Sequence, residues 1–535
     1  MTTSRPFVAI TCAFAAVLAW PSGSWAEEVT IYACAQKNSG ELRIVDGPDD
    51  CRKSEVSVSW NQEGPPGPPG PPGESANLDV HRLADLLGDP SLADGLPLGV
   101  THPVECEASL VFEGPDGSTA AVIGLIGTEA VSQTFAFHVL VDDIAAASNA
   151  WLGQPGQVTF ARDEGTTIFG GIITEVGTSG DDGGTGYTVI ALEPQLAVLA
   201  RNADYRVFQD NSVPEIIAEI LGESDLDFFF QLTGSYDRWP CTVQYNESDL
   251  NLVARLAEAA GIFFYFDEDG TAVFGDSAGG FGGGLSLAYP GAALPLPVGE
   301  EAITGLKRGG GLTPDQATVR GYSLNNPIFP PEATVGTGDG SREVYSYDAS
   351  LTDGGMVTDR ATVNLERFQV PLDRTWGTST SADVRAGYGL AVSDASGNGL
   401  SGDSNVTEVT HVFVRTGDGC LAYGNVFEAV PSGTDYRPPR LTPVPKVQGL
   451  HSAIVTSGAG AGRVIVQFIW DRLGEFDEQS FCPVRVNQPA GTLGAGEPFI
   501  PSAGEEVLVG FIQGDPSQPV VLGSLFNGAN PPPAP

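Results

Sequence analysis

"GDSAG", Gly275 to Gly279, has the G-x-S-x-G spacing of serine hydrolases, and His411 or His451 stands downstream as a possible base. With Ser277 as nucleophile that chemistry needs a strand, a sharp turn and a helix behind the serine. "TAVF" before the motif reads as a strand, but "GFGGG" follows, and a glycine run is a poor helix former. Ser277 is therefore expected in a turn, with no catalytic role. The five histidines, His81, His102, His138, His411 and His451, show neither H-x-x-x-H nor H-E-x-x-H spacing, so neither a metal nor a cofactor is expected. His411, in "VTEVTHVFV", alternates on a strand and is expected at the surface or as a satisfied core residue. "SGDDGG" (179–184) offers oxygen ligands of the kind calcium takes. Turns use the same residues for backbone freedom, and a turn is the reading adopted.

Seven cysteines must be placed against the chain's first residues. Arg5 precedes an apolar run, Phe7 to Trp20, and "PSGSWA" follows. Ser24 and Ala26 suit the −3 and −1 positions of an export-signal cleavage site, so residues 1–26 are expected to leave and the mature chain to begin at Glu27. The apolar run is shorter than the ~20 residues a spanning helix requires. Cys12 would leave with the signal, and the oxidising destination permits disulfides. Cys34 and Cys51 share a segment too short to bury much of a core and are expected to pair. Cys106, Cys241, Cys420 and Cys482 are scattered singly, and each is expected as a buried small apolar residue rather than half of a bridge.

The elements that carry these residues follow from composition and pattern. A chain of 535 residues has room for three or four domains. Gly 69 and Pro 40 point to many turns, and so to short strands. A net charge of −41 with no basic run excludes a nucleic-acid partner. Residues 27–61 read as a small cysteine-containing β module with strands at "VTIYAC" and "ELRIV". Residues 62–74, with Gly64, Gly67, Gly70 and Gly73 at every third place, read as a stiff Gly-Pro-Pro spacer. Residues 75–103 form a linker with one possible short helix. From Val104 the pattern is β, interrupted by two helices. Ser212 and Glu215 have capping-box spacing ahead of an Ile216, Ile217, Ile220, Leu221 stripe. The second, "SDLNLVARLAEAAG", turns Leu252, Val253, Leu256 and Ala260 inward and ends at Gly261. An aromatic hairpin turning at Asp269-Gly270 follows at once, which makes an α+β insertion in a mainly β chain. Residues 436–446 read as an extended linker, since their prolines cannot sit inside a sheet.

Near the end, "RVIVQFIWD" puts Val464, Val466, Phe468 and Trp470 on one face and Arg463, Ile465, Gln467 and Ile469 on the other. Both faces carry bulk, so the strand is expected to be covered on both sides, one cover being its own barrel core and a neighbouring subunit a candidate for the other.

In order, "GTEAVSQTFAFHV", "RVFQDNSVPEIIAEIL", "CTVQYNESDLNLVARLAEAAGIFFYF", "GDS", "YGNVFEAVP", "YRPPR", "GRVIVQFIWDR", "VRVNQP" and "FIPSAGEEVLVGFIQGDPSQPVVLGSLFNGAN" resemble the VgrG family, the spikes of type VI secretion, and equally the hub and spike proteins of contractile phage tails. The resemblance implies a mainly β fold: phage-hub-like barrels over 104–435 (first barrel 104–200, α+β insertion 201–276, second barrel 277–435), then an OB-fold spike base over 447–530 and a Pro-rich tail, 531–535. It implies a rigid, non-enzymatic homotrimer that docks on a hexameric tube protein and carries a tip or effector cargo. Three departures stand out: an export signal, a loop "SGAGAG" before Arg463 without the usual acidic residues, and an end near the OB domain's own, before any needle of repeating strands. They point to a spike exported to the periplasm, cell surface or medium, where three Gly-Pro-Pro runs lie close enough to wind. The module and spacer also resemble the leaders of some bacterial surface proteins, so a surface adhesion or binding module reusing this fold is the alternative, with a serine hydrolase using Ser277 the remote third reading.

Overall fold

In a computed structural model the chain divides into two units, residues 1–75 and 76–535. The structure describes Thr30–Gln36, Leu42–Val45, Glu55–Asn61 and scattered positions between 83 and 108. From there to 533 it describes all but 143, 145–146, 164, 181–185, 292–295, 417–418 and 492–496. The expected signal with its Ala26/Glu27 cleavage, Cys51 of the expected Cys34–Cys51 bridge, the Gly-Pro-Pro run and the centre of "SGDDGG" lie outside the described residues. In the first unit β1 (Thr30–Gln36) is paired on both sides, by β2 (Leu42–Val45) and β3 (Glu55–Asn61), all antiparallel.

In the second unit β4 (His102–Pro103) precedes a closed six-stranded barrel. Its strands are β5 (Ser109–Glu113), β6 (Thr119–Ala130), β7 (Ala136–Asp142), β8 (Pro155–Arg162), β9 (Gly165–Gly180) and β10 (Gly186–Glu193). They pair in the order β6-β5-β8-β9-β10-β7, and β7 returns to β6. Alternation decides what enters the core: Phe137, Val139 and Val141 of β7 point inward. Gly127 lies opposite Phe137, and a Cβ there would come 1.9 Å from the ring, so only glycine lets that ring in.

The expected α+β insertion follows: β11 (Asp204–Phe208), α1 (Val213–Glu223), β12 (Phe228–Gln231), β13 (Thr242–Glu247), α2 (Asp249–Ala260), β14 (Phe263–Phe266) and β15 (Ala272–Gly275). Glu215 accepts from the Ser212 N–H at 2.8 Å, the back half of the capping box. Helix α2 is capped by Ser248, which accepts from the Asn251 N–H, and ends at Gly261 in the left-handed conformation (φ 76°).

The remaining large sheet runs through β17 (Ile303–Gly309), β21 (Arg374–Ser379), β24 (Leu421–Pro431) and β23 (Gly402–Arg415). From β23 it continues through β22 (Tyr388–Asp394) to β16 (Gly282–Tyr289). Strand β23 joins the two halves: it pairs with β22 near its start and with β6 from Glu408 to Val414. Between β17 and β21 stands a second insertion that sequence reasoning missed: β18 (Gln316–Arg320), β19 (Glu332–Gly336), β20 (Glu343–Tyr347) and α3 (Gly354–Gln369). Two glycines, two threonines and two valines make α3 a weak helix former by itself. It is held by its Asp353 cap, which accepts from the Gly355 and Met356 N–H groups, and by packing of Val357 and Ala361 on Val319 and Leu351.

The last element is a closed five-stranded barrel, β25 (His451–Gly460), β26 (Arg463–Phe468), β27 (Val484–Val486), β28 (Glu506–Phe511) and β29 (Pro519–Leu525). Strand β26 ends at Phe468, three residues before the expected Asp471. Val464, Val466 and Phe468 enter the core, and Trp470 stacks beyond the strand end at 4.8 Å from the Phe468 ring. Ile465 and Gln467 are buried on the other face. At Gln467 that second cover is the chain itself. The Gln467 amide donates to the Asp471 carbonyl at 2.9 Å, and the returning loop passes so close at Gly474 that a Cβ would strike the amide. Ile469 is exposed.

One cysteine expectation is corrected. Cys106 and Cys420, 314 residues apart in sequence, form a disulfide. Strand β4 pairs with β24 through Pro103–Ala422 and His102–Tyr423, which brings Cys106 beside the turn that carries Cys420. Cys241 and Cys482 are free thiols, half-buried and buried. Among the described residues no helix is long and apolar enough to cross a membrane.

Candidate functional site

Ser277 is half-buried with extended backbone (φ −152°), ahead of a three-residue turn, Ala278–Gly280, that leads into β16. The helix a nucleophile elbow requires is replaced by that turn. The residue before it carries the structure. The Asp276 carboxylate accepts from the Thr233 and Gly234 N–H groups, the Thr233 hydroxyl and the Tyr236 phenol, at 2.7–3.0 Å. Burial pushes this carboxyl up, but the Gly234 and Thr233 N–H groups outweigh it and hold it below the ordinary range. Burial beside that carboxylate raises the Tyr236 phenol well above its usual range.

The two histidines considered as bases are committed elsewhere. His411 is fully buried inside the six-stranded barrel, its Nδ1 2.8 Å from the Tyr423 hydroxyl and its ring packed near Phe137 and Phe169. Asn425 donates to the same hydroxyl at 2.8 Å and to the Ser381 carbonyl at 2.8 Å. Burial pulls the His411 imidazole down to about 4. The Nε2 of His451 lies 3.1 Å from the Tyr245 hydroxyl. His102 and His138 sit on β4 and β7, and His81 lies outside the described residues.

Several side chains from both insertions converge on the segment 436–446. Proline removes N–H groups, so what this segment must satisfy is mainly carbonyls, and arginine and asparagine supply the donors. Arg367 of α3 donates to the Pro438 carbonyl at 2.7 Å, and Asn251 of α2 to that of Pro443 at 3.0 Å. Arg437 donates to the Gly261 and Asp276 carbonyls at 2.9 and 2.6 Å and to Glu366 of α3 at 2.7 Å. The Thr442 N–H and hydroxyl both reach the Glu258 carboxylate. One guanidinium thus ties the end of α2, the end of β15 and α3 together. Burial, with Arg440 and Arg360 nearby, pushes the Arg367 guanidinium down to about 9.

Strands β11 and β13 fix the terminal barrel to this frame. Val243 joins the barrel's own core, and its N–H donates to the Ser517 hydroxyl at 3.1 Å. Tyr205, Tyr245 and Trp470 pack within 6.1 Å of one another. Behind them the Arg255–Glu247 ion pair is buried at 2.7 Å. A cavity of about 510 Å³ remains where both insertions, the proline segment and the barrel meet, lined among others by Tyr236, Trp239, Cys241, Arg360, Arg440 and Asp515. What the arrangement does chemically is immobilise: it joins the terminal barrel to the first by core packing and buried hydrogen bonds. "GDS" and "YRPPR" stood out in the sequence, but the roles of Asp276 and Arg437 depend on partners far away in the chain.

Residues 128–417 match the phage tail baseplate hub (GPD) family, and residues 452–526 the type VI secretion system/phage-baseplate injector OB domain. The chain is 34% identical over 466 residues to the type VI secretion system spike protein VgrG5 of Pseudomonas aeruginosa, covering 76% of this chain and 56% of that protein. It is 32% identical over 457 residues to VgrG4b of the same organism, covering 77% and 55%. It therefore spans little more than half the length of these relatives. The Escherichia coli c3393 protein, a solved type VI secretion component with structural similarity to T4 phage tail proteins, shares the fold with a TM-score of 0.54. That match is 22% identical and covers 79% of this chain and 99% of that one.

Proposed function

Because this chain belongs to the VgrG family of type VI spikes and phage tail baseplate hubs, we propose that it acts as a rigid, non-enzymatic homotrimer that docks on a hexameric tube protein and carries a tip or cargo. The observation that carries this reading is apolar surface on the terminal barrel of a chain with net charge −41. Ile469, Leu473 and Phe476 are exposed on the loop after β26, and Phe526 follows β29. Exposed Leu450 and Leu522 flank Gly510 of β28. Three large apolar side chains exposed within eight residues of one loop of an otherwise acidic protein suit an interaction face. A second copy supplies the same surface, and closed symmetry uses it up. The fixed joint at 436–446 supports a role in which force passes from one barrel to the other without hinge motion. Ser277's place in a turn supports a non-enzymatic reading.

Export through residues 1–26, a mature start at Glu27 and a Cys34–Cys51 bridge complete the proposal, as does winding of three Gly-Pro-Pro runs. Light scattering with native mass measurement tests the assembly. The mature chain should run as three copies at micromolar concentration and co-sediment with tube rings. A monomer under those conditions would remove the mechanism. A trimer that ignores tube rings would favour the surface-module alternative.

A further inference from the structure

Two thiols from distant parts of the chain meet where β13 abuts the terminal barrel. Cys241 directly precedes β13, and Cys482 lies ahead of β27, 241 residues on. The Cys482 thiol donates to the Pro240 carbonyl at 2.8 Å, so its sulfur sits against the backbone carrying Cys241, and the two side chains interact directly. Cys482 belongs to one apolar cluster with Phe481, Val243 and Val484, and Cys241 packs against that cluster. Cys241 also lines the 510 Å³ cavity, so a small reagent can reach that thiol, while Cys482 stays buried behind it. Burial and the neighbouring thiol raise the Cys241 thiol well above its ordinary range, so little of it is thiolate and its reaction is slow.

We propose that Cys241 and Cys482 are a second disulfide site, which closes on exposure to an oxidising disulfide and locks the α+β insertion to the terminal barrel. The Cys241 thiolate, entered from the cavity, attacks one sulfur of a small-molecule disulfide and releases one thiol. The Cys482 thiolate then attacks the Cys241 sulfur and releases the second. Two protein thiols are oxidised and one external disulfide is reduced to two thiols, with no other co-reactant. The Cys106–Cys420 bridge ties the chain entering the first barrel to the β23–β24 turn; this one spans the joint that the proline segment and the Tyr245–Trp470 packing hold non-covalently. The inference stands whether or not the chain assembles as a trimer.

The test is a non-reducing peptide map of the full chain after treatment with 4,4′-dithiodipyridine. The expected result is a cross-linked pair of peptides carrying Cys241 and Cys482, about 2 Da lighter than the two thiol peptides together and free of pyridyl adduct, lost on reduction. The same pair found in untreated protein supports the site equally. The thermal midpoint of the wild type should rise by several degrees on oxidation, as a closed loop of this size requires, and that of Cys241→Ser should not. Pyridyl adducts on each cysteine separately, or both thiols unreacted in folded protein, would overturn the proposal. So would an equal rise in midpoint in Cys241→Ser, which would place the effect at other cysteines.

Discussion

Acid should weaken the six-stranded barrel through one imidazole. His411 is buried, and burial holds its pKa near 4 against an ordinary 6.5. Glu129 and Asp383 draw the proton on and Arg385 resists it, but burial dominates. The unfolded chain binds a proton on this group before the folded chain does. Stability is therefore complete above about pH 6.5, falls as pH drops through the window from about 6.5 to 4, and levels off below it. A shift of this size is worth roughly 3 kcal/mol in full and roughly 2 kcal/mol at about pH 5. Carboxylates titrate over the same range, so the measurement must be a difference. His411→Gln keeps an amide able to meet the Tyr423 hydroxyl and removes the titration. Thermal unfolding of both proteins from about pH 8 to about pH 5 should show the wild-type midpoint falling roughly 4–8 °C further than the variant's, taking about 2–4 °C per kcal/mol for a region of this size. Parallel curves would refute the reasoning, because they would mean that His411 titrates alike in folded and unfolded chains.

Asp276→Asn should cost roughly 2–4 kcal/mol, since the amide's NH₂ faces N–H groups that the carboxylate now receives; a midpoint within a degree of wild type would refute this. Glu129→Gln leaves Arg385 buried without the carboxylate that grips it on both oxygens, and should destabilise by about 3–5 kcal/mol, read by thermal unfolding. Cys106→Ser with Cys420→Ser opens a loop of 314 residues and should cost about 3–5 kcal/mol in the denaturation of oxidised protein, while reduced wild type and variant should unfold alike. Ile469→Asp places a charge on exposed apolar surface and should shift the trimer toward monomer at a fixed concentration without lowering the monomer's thermal midpoint.

Local patterns were enough for the class of fold and the α+β insertion. Ser212 and Glu215 cap α1 because a capping box needs only residues three apart, and Gly261 ends α2 because a left-handed residue is a property of one position. Alternation put Val464, Val466 and Phe468 in the terminal barrel, since a strand's two faces are fixed by a period of two. Ordered motifs over most of the chain carried the family. Helix α3 was not legible, because its own propensity is weak and its stability comes from Val319 and Leu351 in other elements. Alternation called for a second cover over Gln467 but could not name it, and there the chain's own loop returns at Gly474.

Distance along the chain separates what residues could tell from what they could not. Cys106 looked solitary until β4 and β24 paired across more than three hundred residues. Asp276 and Arg437 read as parts of motifs, and only folding gave them Thr233, Gly261 and Glu366 as partners. Capping, alternation and turn preference act between residues a few places apart, so a sequence states them outright. Hydrogen bonds, ion pairs and disulfides between remote segments depend on which surfaces meet, and that is settled only when the whole chain minimises its unsatisfied polar groups and exposed apolar area together.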